Sequence, residues 1–95
     1  MIQSVHDKVT QAIIDNRRVR KIGPELHRAA RKKTDILEAA TTLEDLAAVP
    51  GNRLEPLKGK RKGQHSIRIN DQFRICFTLT PNGPADVEVT DYHDE

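Results

Sequence analysis

The sequence predicts an α+β fold in which two N-terminal helices pack on one face of a small, mainly antiparallel β-sheet. Apolar residues recur with helical spacing in the first half of the chain and with a period of two in the second half. Clusters of Gly, Pro, Asn and Asp separate the alternating segments, as expected for turns between strands. A chain of 95 residues is the size of one small domain, so we expect a single domain over 1–95.

The helical half follows a short extended stretch at residues 1–4. The spacing i, i+4, i+7 and i+8 predicts one face of a first helix, made of Val5, Val9, Ala12 and Ile13. A second helix is predicted to start at Pro24, since proline suits the first helical turn. Thr42 and Asp45 are three residues apart, close to a capping box, and predict a short third helical turn.

The second half of the chain predicts three or four strands. Residues 53–58 contain Pro56, which is typical of an edge or irregular strand. Residues 64–70 and 73–80 alternate with a period of two, and the segment between them predicts a tight hairpin turn. A further turn is predicted at 81–84, followed by a last strand at 85–92.

Alternation assigns the strand side chains to two faces of the sheet. The apolar face, which we expect the helices to cover, carries Ile67, Ile69, Phe73, Ile75, Phe77, Leu79, Val87 and Val89. The polar face carries Ser66, Arg68, Asn70, Arg74, Cys76, Thr78, Glu88, Thr90 and Tyr92. An antiparallel sheet can leave one face open to water, so the polar face is either ordinary surface or a functional surface.

Charge is unevenly distributed, although the net charge is only +2. Residues 53–74 contain seven Lys/Arg and two acidic residues, whereas residues 75–95 contain five acidic residues and no Lys/Arg. A local basic segment attracts polyanions such as nucleic acids, but a solvated basic loop has the same composition. The aromatic content of 3% argues against a protein that binds single strands by stacking.

Several other classes of protein are disfavoured. The chain has no apolar run of membrane-spanning length and no hydrophobic signal core at its N-terminus, so we expect a cytoplasmic protein with no membrane partner. Cys76 is the only cysteine, which excludes an internal disulfide. The four histidines lack metal-ligand spacing, and neither a phosphate-binding loop motif nor a nucleophilic serine motif is present. We therefore expect no metal and no cofactor.

The residue types that remain fit metal-free cleavage of RNA. RNA supplies its own nucleophile, the 2′-OH, so the protein needs a proton acceptor, a cation beside phosphorus and a proton donor for the leaving 5′-oxygen. Arg and Lys supply the cation, His exchanges protons near neutrality, and neighbouring cations would favour the phenolate of Tyr. The candidates of these types are Lys58, Arg68, Arg74, Tyr92 and His93.

Four short motifs occur in a specific order: LKG at 57–59, SIRIN at 66–70, QFRI at 72–75 and DYH at 91–93. They follow TTLEDLAAVPGNRLE at 41–55. In this combination the chain resembles, over most of its length, the HigB toxins of the RelE superfamily, also called plasmid maintenance system killer proteins. It departs from some members, which carry His at the position of Glu55, and from many, which carry an aromatic residue at the position of His65.

The resemblance implies a ribosome-dependent, metal-independent endoribonuclease that cuts mRNA in the A site of the 30S subunit and inhibits translation. It also implies a HigA-type helix-turn-helix antitoxin. The toxin would contact operator DNA only indirectly, through that antitoxin. Carried over by motif, the catalytic residues are Lys58, Arg74, Asp91, Tyr92 and His93. Lys58 would contact the phosphate, Arg74 would stabilise negative charge, and Asp91 would orient the two residues that follow it.

RNA binding is assigned to the other basic residues of the same region, Arg53, Lys60, Arg61, Lys62 and Arg68. Two alternatives remain open. The chain could be a non-catalytic module that binds RNA or the ribosome, because a basic segment can hold a phosphate backbone without cutting it. It could also be a partner-binding protein whose basic surface contacts an acidic antitoxin.

Overall fold

The computed structural model describes residues 1–91, in which three helices precede a four-stranded antiparallel sheet. The helices are α1 (Lys8–Ile14), α2 (Pro24–Ala39) and α3 (Leu43–Ala47). The strands are β1 (Glu55–Pro56), β2 (His65–Arg68), β3 (Phe73–Thr80) and β4 (Gly83–Asp91), and they lie side by side in chain order. The predicted α+β arrangement is confirmed. Within this part of the chain, no helix has the length and apolar character needed to cross a membrane.

The first helix begins later than the sequence predicted. The Asp7 side chain accepts a hydrogen bond of 2.8 Å from the backbone N–H of Thr10 and caps the start of α1. Val5, which we assigned to the helical face, forms instead a parallel bridge with Val87 of β4. That assignment is wrong, because the apolar side chain of Val5 belongs to the extended stretch beside the sheet.

The other two helices start where the sequence indicated. Pro24 occupies the first position of α2. At the start of α3 the Thr42 hydroxyl accepts from the backbone N–H of Asp45 at 3.1 Å, and the Asp45 carboxylate accepts from the backbone N–H of Thr42 at 3.2 Å. The predicted capping box is therefore confirmed, and it satisfies backbone donors that the first helical turn leaves without partners.

The helices cover the apolar face of the sheet, as predicted. The largest contributors to the core are Ile13, Leu37 and Leu46 from the helices and Ile67, Ile75, Phe77 and Val87 from the strands. Burying an apolar side chain of this size contributes about 1.5–3 kcal/mol. A shift of one residue in a strand would expose this whole set, so the core fixes which side chains reach the opposite face.

The β2–β3 hairpin is confirmed, and it pairs Arg68 directly with Arg74. The Asn70 side chain closes the turn, because its carbonyl oxygen accepts from the backbone N–H groups of Gln72 at 2.9 Å and Phe73 at 2.7 Å. This side-chain turn fixes the register that places the two arginines side by side.

The last strand begins two residues earlier than predicted. Gly83 pairs with Thr80 and Pro84 pairs with Leu79, which leaves only residues 81 and 82 in the turn. Proline has no N–H and normally indicates a turn, but β4 lies at the edge of the sheet, where a strand can include it. The prediction of a four-residue turn at 81–84 is therefore wrong.

Candidate functional site

Two rows of paired residues cross the sheet face that points away from the helices. The first row, from β1 to β4, contains Glu55, Ser66, Cys76 and Glu88. The second row contains Arg68, Arg74 and Thr90. Residues paired across antiparallel strands lie on the same face, so the rows bring basic and acidic side chains together.

Arg74 lies at the centre of this face and is only 6% exposed. Its Nη1 atom is 3.7 Å from Oε1 of Glu55, whose side chain is 54% exposed. A buried guanidinium needs compensating charge, and the accessible carboxylate of Glu55 supplies part of it. An incoming phosphate could replace that carboxylate, because phosphate offers Arg a bidentate partner of the same charge sign.

The polar face is more covered than an open sheet face would be. Ser66 is 1% exposed and Cys76 is fully buried. Arg61, from the 3₁₀ turn at Gly59–Arg61, reaches Oε1 of Glu88 with its Nη1 atom at 3.0 Å. Because Cys76 and Glu88 are paired between β3 and β4, the ion pair of Arg61 with Glu88 lies beside Cys76 in the first row of residues. Burial raises the pKa of the Cys76 thiol, which favours its neutral form.

The polar face is thus covered at its centre and is not open to water there. The segment between β1 and β2, residues 57–64, is here called the cover segment; it reaches β4 through Arg61, which pairs with Glu88, and through Gln64, whose side chain donates to the Asp86 carboxylate at 3.3 Å. Arg61 also donates to the side chain of Gln64 at 3.1 Å. The basic loop that the sequence indicated is therefore partly a cover for the sheet, and only part of it is exposed surface.

At the β1–β2 edge a small pocket of about 320 Å³ opens between two basic and two acidic side chains. Its lining residues are Arg53, Glu55, Arg68 and Asp71. Arg68 donates to the carboxylate of Asp71, and its side chain is 28% exposed. Arg53 is exposed and has a positive φ of 46°. The pocket adjoins Arg74 through Glu55, which contacts Arg74 and lines the pocket.

A further cation, Lys33 of α2, extends this basic edge. Its ammonium group donates to the side chain of the buried Asn52, and the backbone carbonyl of Asn52 accepts from the N–H of Arg68 at 2.7 Å. Burial, together with the nearby charges of Lys32 and Arg68, lowers the pKa of Lys33. Lys33 is not among the residues predicted from the sequence, because its helix is far from the basic segment along the chain.

The lysines of the predicted site lie on the cover segment. Lys58 precedes the 3₁₀ turn as its N-terminal cap residue, and Lys58, Lys60 and Lys62 are all exposed. Among the described residues, none of the three makes a side-chain ion pair. They are therefore available to a polyanion, unlike Arg61, whose guanidinium is engaged by Glu88.

Asp91 is the last residue of β4. It pairs with Phe73 in the register, and its carboxylate accepts a hydrogen bond of 2.8 Å from the side chain of Gln72. Alternation therefore directs Asp91 to the face opposite Arg74. Tyr92 and His93 lie outside the described residues.

Sequence reasoning missed two carboxylates that matter for this surface. Glu55 and Glu88 act as counterions of Arg74 and Arg61. Alternation had placed Glu88 on the polar face, but only the strand register could show that it lies beside the cover segment. Among residues 1–91, no group of three or more His, Cys, Asp or Glu side chains is arranged to hold a metal ion.

Comparison with known proteins identifies the family of this chain. Residues 3–94 match the family model described as RelE-like toxin of type II toxin-antitoxin system HigB, and the chain belongs to this family. Over 63 residues, which make up 66% of each chain, it is 44% identical to the toxin HigB-1 of Vibrio cholerae. It is 34% identical over 62 residues to an uncharacterized protein of Haemophilus influenzae, which covers 65% of this chain and 61% of that protein. Both matches thus span slightly less than two thirds of the relative's length.

Proposed function

We propose that this HigB-family toxin is a ribosome-dependent mRNA endoribonuclease that cuts in the ribosomal A site, without a metal ion, and so inhibits translation. The observation that carries the proposal is the position of Arg74, a nearly buried cation beside a carboxylate that a phosphate could displace. Its neighbour Arg68 lines a pocket at the same edge. Family membership supports the reaction class.

In the proposed reaction, the 2′-oxygen of the A-site nucleotide attacks the adjacent phosphorus and loses its proton to a protein base. The bond between phosphorus and the 5′-oxygen breaks, and a protein acid protonates that oxygen. The products are a 2′,3′-cyclic phosphate end and a 5′-OH end, so no water or redox partner is consumed. Arg74 stabilises the charge that builds up on the phosphoryl oxygens.

The other roles follow the family motifs. Lys58 is exposed on the cover segment, from which its flexible side chain can contact the same phosphate. Tyr92 and His93 are proposed to transfer the protons, and Asp91 to orient them from the end of β4. Arg53, Lys60, Lys62 and Arg68 are proposed to hold the flanking RNA backbone. Arg61 could join them only by leaving Glu88.

The proposed partners are mRNA on the ribosome and a HigA-type antitoxin with a helix-turn-helix fold. Membership of a type II toxin family implies an antitoxin. Contact with operator DNA is proposed only through that antitoxin. Translating ribosomes place the proposed site of action in the cytoplasm, and we propose that residues 1–95 act as one domain.

The test is to map cleavage on a defined mRNA held in bacterial ribosomes with an empty A site. Purified protein is added, new ends are located by primer extension, and a reaction without ribosomes serves as the control. Cuts confined to the A-site codon and dependent on ribosomes would support the proposal. Tight ribosome binding without new ends would favour instead the non-catalytic binding module.

A further inference from the structure

A closed ring of polar contacts joins the cover segment to β4 and to the N-terminal stretch. Nη1 of Arg61 contacts Oε1 of Glu88 at 3.0 Å and Oε1 of Gln64 at 3.1 Å. The side-chain amide of Gln64 donates to Oδ2 of Asp86 at 3.3 Å, and Oδ1 of Asp86 lies 3.1 Å from Nδ1 of His6. Nε2 of His6 lies 3.8 Å from Oε2 of Glu88 and closes the ring. Each of the two carboxylates therefore contacts the cover segment with one oxygen and the N-terminal stretch with the other.

A β-bulge in β4 directs the Asp86 carboxylate into this ring. The register shifts between Cys76 and Thr78, so that Asp86 and Val87 both lie opposite the one β3 residue between them. Asp86 has a φ of 53°, in the left-handed region that residues other than glycine seldom adopt. Its backbone N–H donates to the Ser4 hydroxyl at 2.8 Å, which ties the bulge to the N-terminal stretch. A strained residue persists where its surroundings hold it, and such residues cluster at functional sites.

The backbone hydrogen bonds of the cover segment join its own residues to one another. The N–H of Leu57 donates to the carbonyl of Gln64, and the N–H of Gln64 donates to the carbonyl of Arg61, both at 2.9 Å. Gly59 and Gly63 have positive φ values of 64° and 94°, which permit the sharp turns at the two ends of the 3₁₀ turn. These bonds give the segment its shape, whereas the contacts that bring it to β4 are those of the Arg61 and Gln64 side chains.

The ion pair of Arg61 with Glu88 is the most shielded part of the ring. The two side chains are 25% and 17% exposed, whereas those of His6 and Asp86 are about half exposed. Salt and water screen partly buried charges less than exposed ones. Loss of the Glu88 charge would also leave the partly buried guanidinium of Arg61 without this counterion. Glu88 is therefore the stronger of the two carboxylate anchors.

The ring acts on the same turn that carries Lys58. Lys58 is the cap residue of the 3₁₀ turn that ends at Arg61, and the N–H of Arg61 donates to the carbonyl of Lys58 at 3.3 Å. The Lys58 side chain is exposed and has a flexible four-carbon stem, so it does not fix the position of its own ammonium group. A precise contact with a phosphate therefore requires that the backbone beneath Lys58 be held in place.

We propose that this ring holds the cover segment on β4 and so positions Lys58 at the reacting phosphate, which makes Asp86 and Glu88 positioning residues for cleavage. The inference rests on the proposed function, because Lys58 has its assigned role only in that reaction. Arg61 serves in this arrangement as the anchor of the segment, and its guanidinium stays on Glu88 while RNA is bound.

The test removes both negative charges of the ring and keeps the size of the side chains. The ring variant is Asp86→Asn/Glu88→Gln, since asparagine tolerates left-handed backbone as aspartate does. The control variant is Glu25→Gln/Glu44→Gln, which neutralises two exposed carboxylates outside the ring and changes the net charge by the same amount. Each double change is also made in a Lys58→Met background, and circular dichroism checks that every variant is folded.

Hydrogen exchange of the free proteins tests the hold on the cover segment without any RNA. In the ring variant we expect the amides of residues 58–64 to exchange about 3–10-fold faster than in wild type. The amides of β3 should exchange at the wild-type rate, and the control variant should match wild type throughout. Unchanged exchange at 58–64 would overturn the proposal. Equal acceleration in β3 would also overturn it, since the ring would then stabilise the whole domain.

Cleavage in single turnover, at saturating protein on ribosomes with an empty A site, tests the positioning of Lys58. The ring variant should cleave about tenfold more slowly than wild type, because a small misplacement of a contacting group is costly in rate. The control variant should stay within about twofold of wild type. In the Lys58→Met background, the ring changes should alter the rate by less than about twofold, because their effect passes through Lys58. An equal tenfold loss in both backgrounds would contradict this role.

The positioning role and the cleavage proposal fail in different ways. If wild type cleaves and the folded ring variant cleaves at the same rate, the positioning role is wrong and the cleavage proposal stands. If wild type binds ribosomes without producing new RNA ends, the cleavage proposal fails and the positioning role fails with it. Faster exchange of residues 58–64 in the ring variant would still show, in that case, that the ring holds the cover segment.

Discussion

Replacing Arg74 with Met removes its charge while keeping most of its volume. Arg74 is 6% exposed, so Met fills the space of the aliphatic part of the side chain, and the fold should survive. One lost partner, Glu55, is 54% exposed and 3.7 Å away, so solvent screening limits this ion pair to under about 1 kcal/mol of stability. For a domain of this size, loss of this ion pair alone corresponds to a decrease in Tm of less than about 8 °C.

The effect on cleavage should be far larger than the effect on stability. A preorganised donor that stabilises charge in the transition state contributes about 2.7–4 kcal/mol, which corresponds to a rate factor of about 10²–10³. Arg74→Met should therefore lower the single-turnover rate of A-site cleavage by that factor. Arg17→Met, whose guanidinium is exposed and paired with Asp15, is the matched control and should cleave normally.

The assay uses saturating protein, so that weaker binding does not contribute to the measured rate. Circular dichroism and ribosome co-sedimentation show whether the variant is folded and bound. A folded, ribosome-bound Arg74→Met variant that cleaves within about threefold of the wild-type rate would refute the role assigned to Arg74.

Three other changes test separate parts of the structure. Glu55→Gln removes the carboxylate that competes with phosphate for Arg74, so affinity for ribosome-bound mRNA should rise about 2–5-fold; loss of cleavage at saturation would instead make Glu55 a proton carrier. The hydrogen bond that the His6 ring donates to the Asp86 carboxylate raises the pKa of His6, so this contact stabilises the protein below the unfolded pKa and is lost as pH rises through the folded value. His6→Gln should therefore lower Tm more at about pH 5.5 than at about pH 8.5, and an equal decrease at both would exclude this linkage. Gly83 has a φ of 135°, and a Cβ there would collide with the carbonyl oxygen of Met1. Gly83→Ala should therefore lower the free energy of unfolding, measured by chemical denaturation, by more than about 1 kcal/mol. An unchanged denaturation midpoint would contradict the described packing.

Periodicity in the sequence predicted the helices and strands that have one buried face and one exposed face. The alternation in β3 and the spacing in α2 each reflect one apolar face against the core, so both could be recognised locally. The capping box before α3 was also local, since all of its groups lie within four residues. These parts of the fold are determined by neighbouring residues.

The features that sequence reasoning missed depend on contacts between distant segments. Val5 joins β4 because the extended stretch lies beside Val87, which lies 82 positions further along the chain. Arg61 reaches across to Glu88, which is paired with the buried Cys76. Composition could not show that the segment between β1 and β2 covers the sheet, or that Glu55 and Glu88 are counterions. The strand register is needed to tell which basic residue of that segment faces a carboxylate and which faces solvent. Family motifs supplied the catalytic residues, and their roles remain predictions.

The most direct test of the central claim is to remove the nucleophile from the RNA. An mRNA with a single 2′-deoxy nucleotide at the mapped cleavage position is loaded on ribosomes with an empty A site, and an all-ribose mRNA of the same sequence is the reference. If this protein acts by 2′-OH attack, the reference is cut to leave a 2′,3′-cyclic phosphate, and the deoxy mRNA stays intact at that position although the protein binds both complexes equally. Cleavage of the deoxy mRNA at the same position, or no cleavage of the reference by bound protein, would contradict the account.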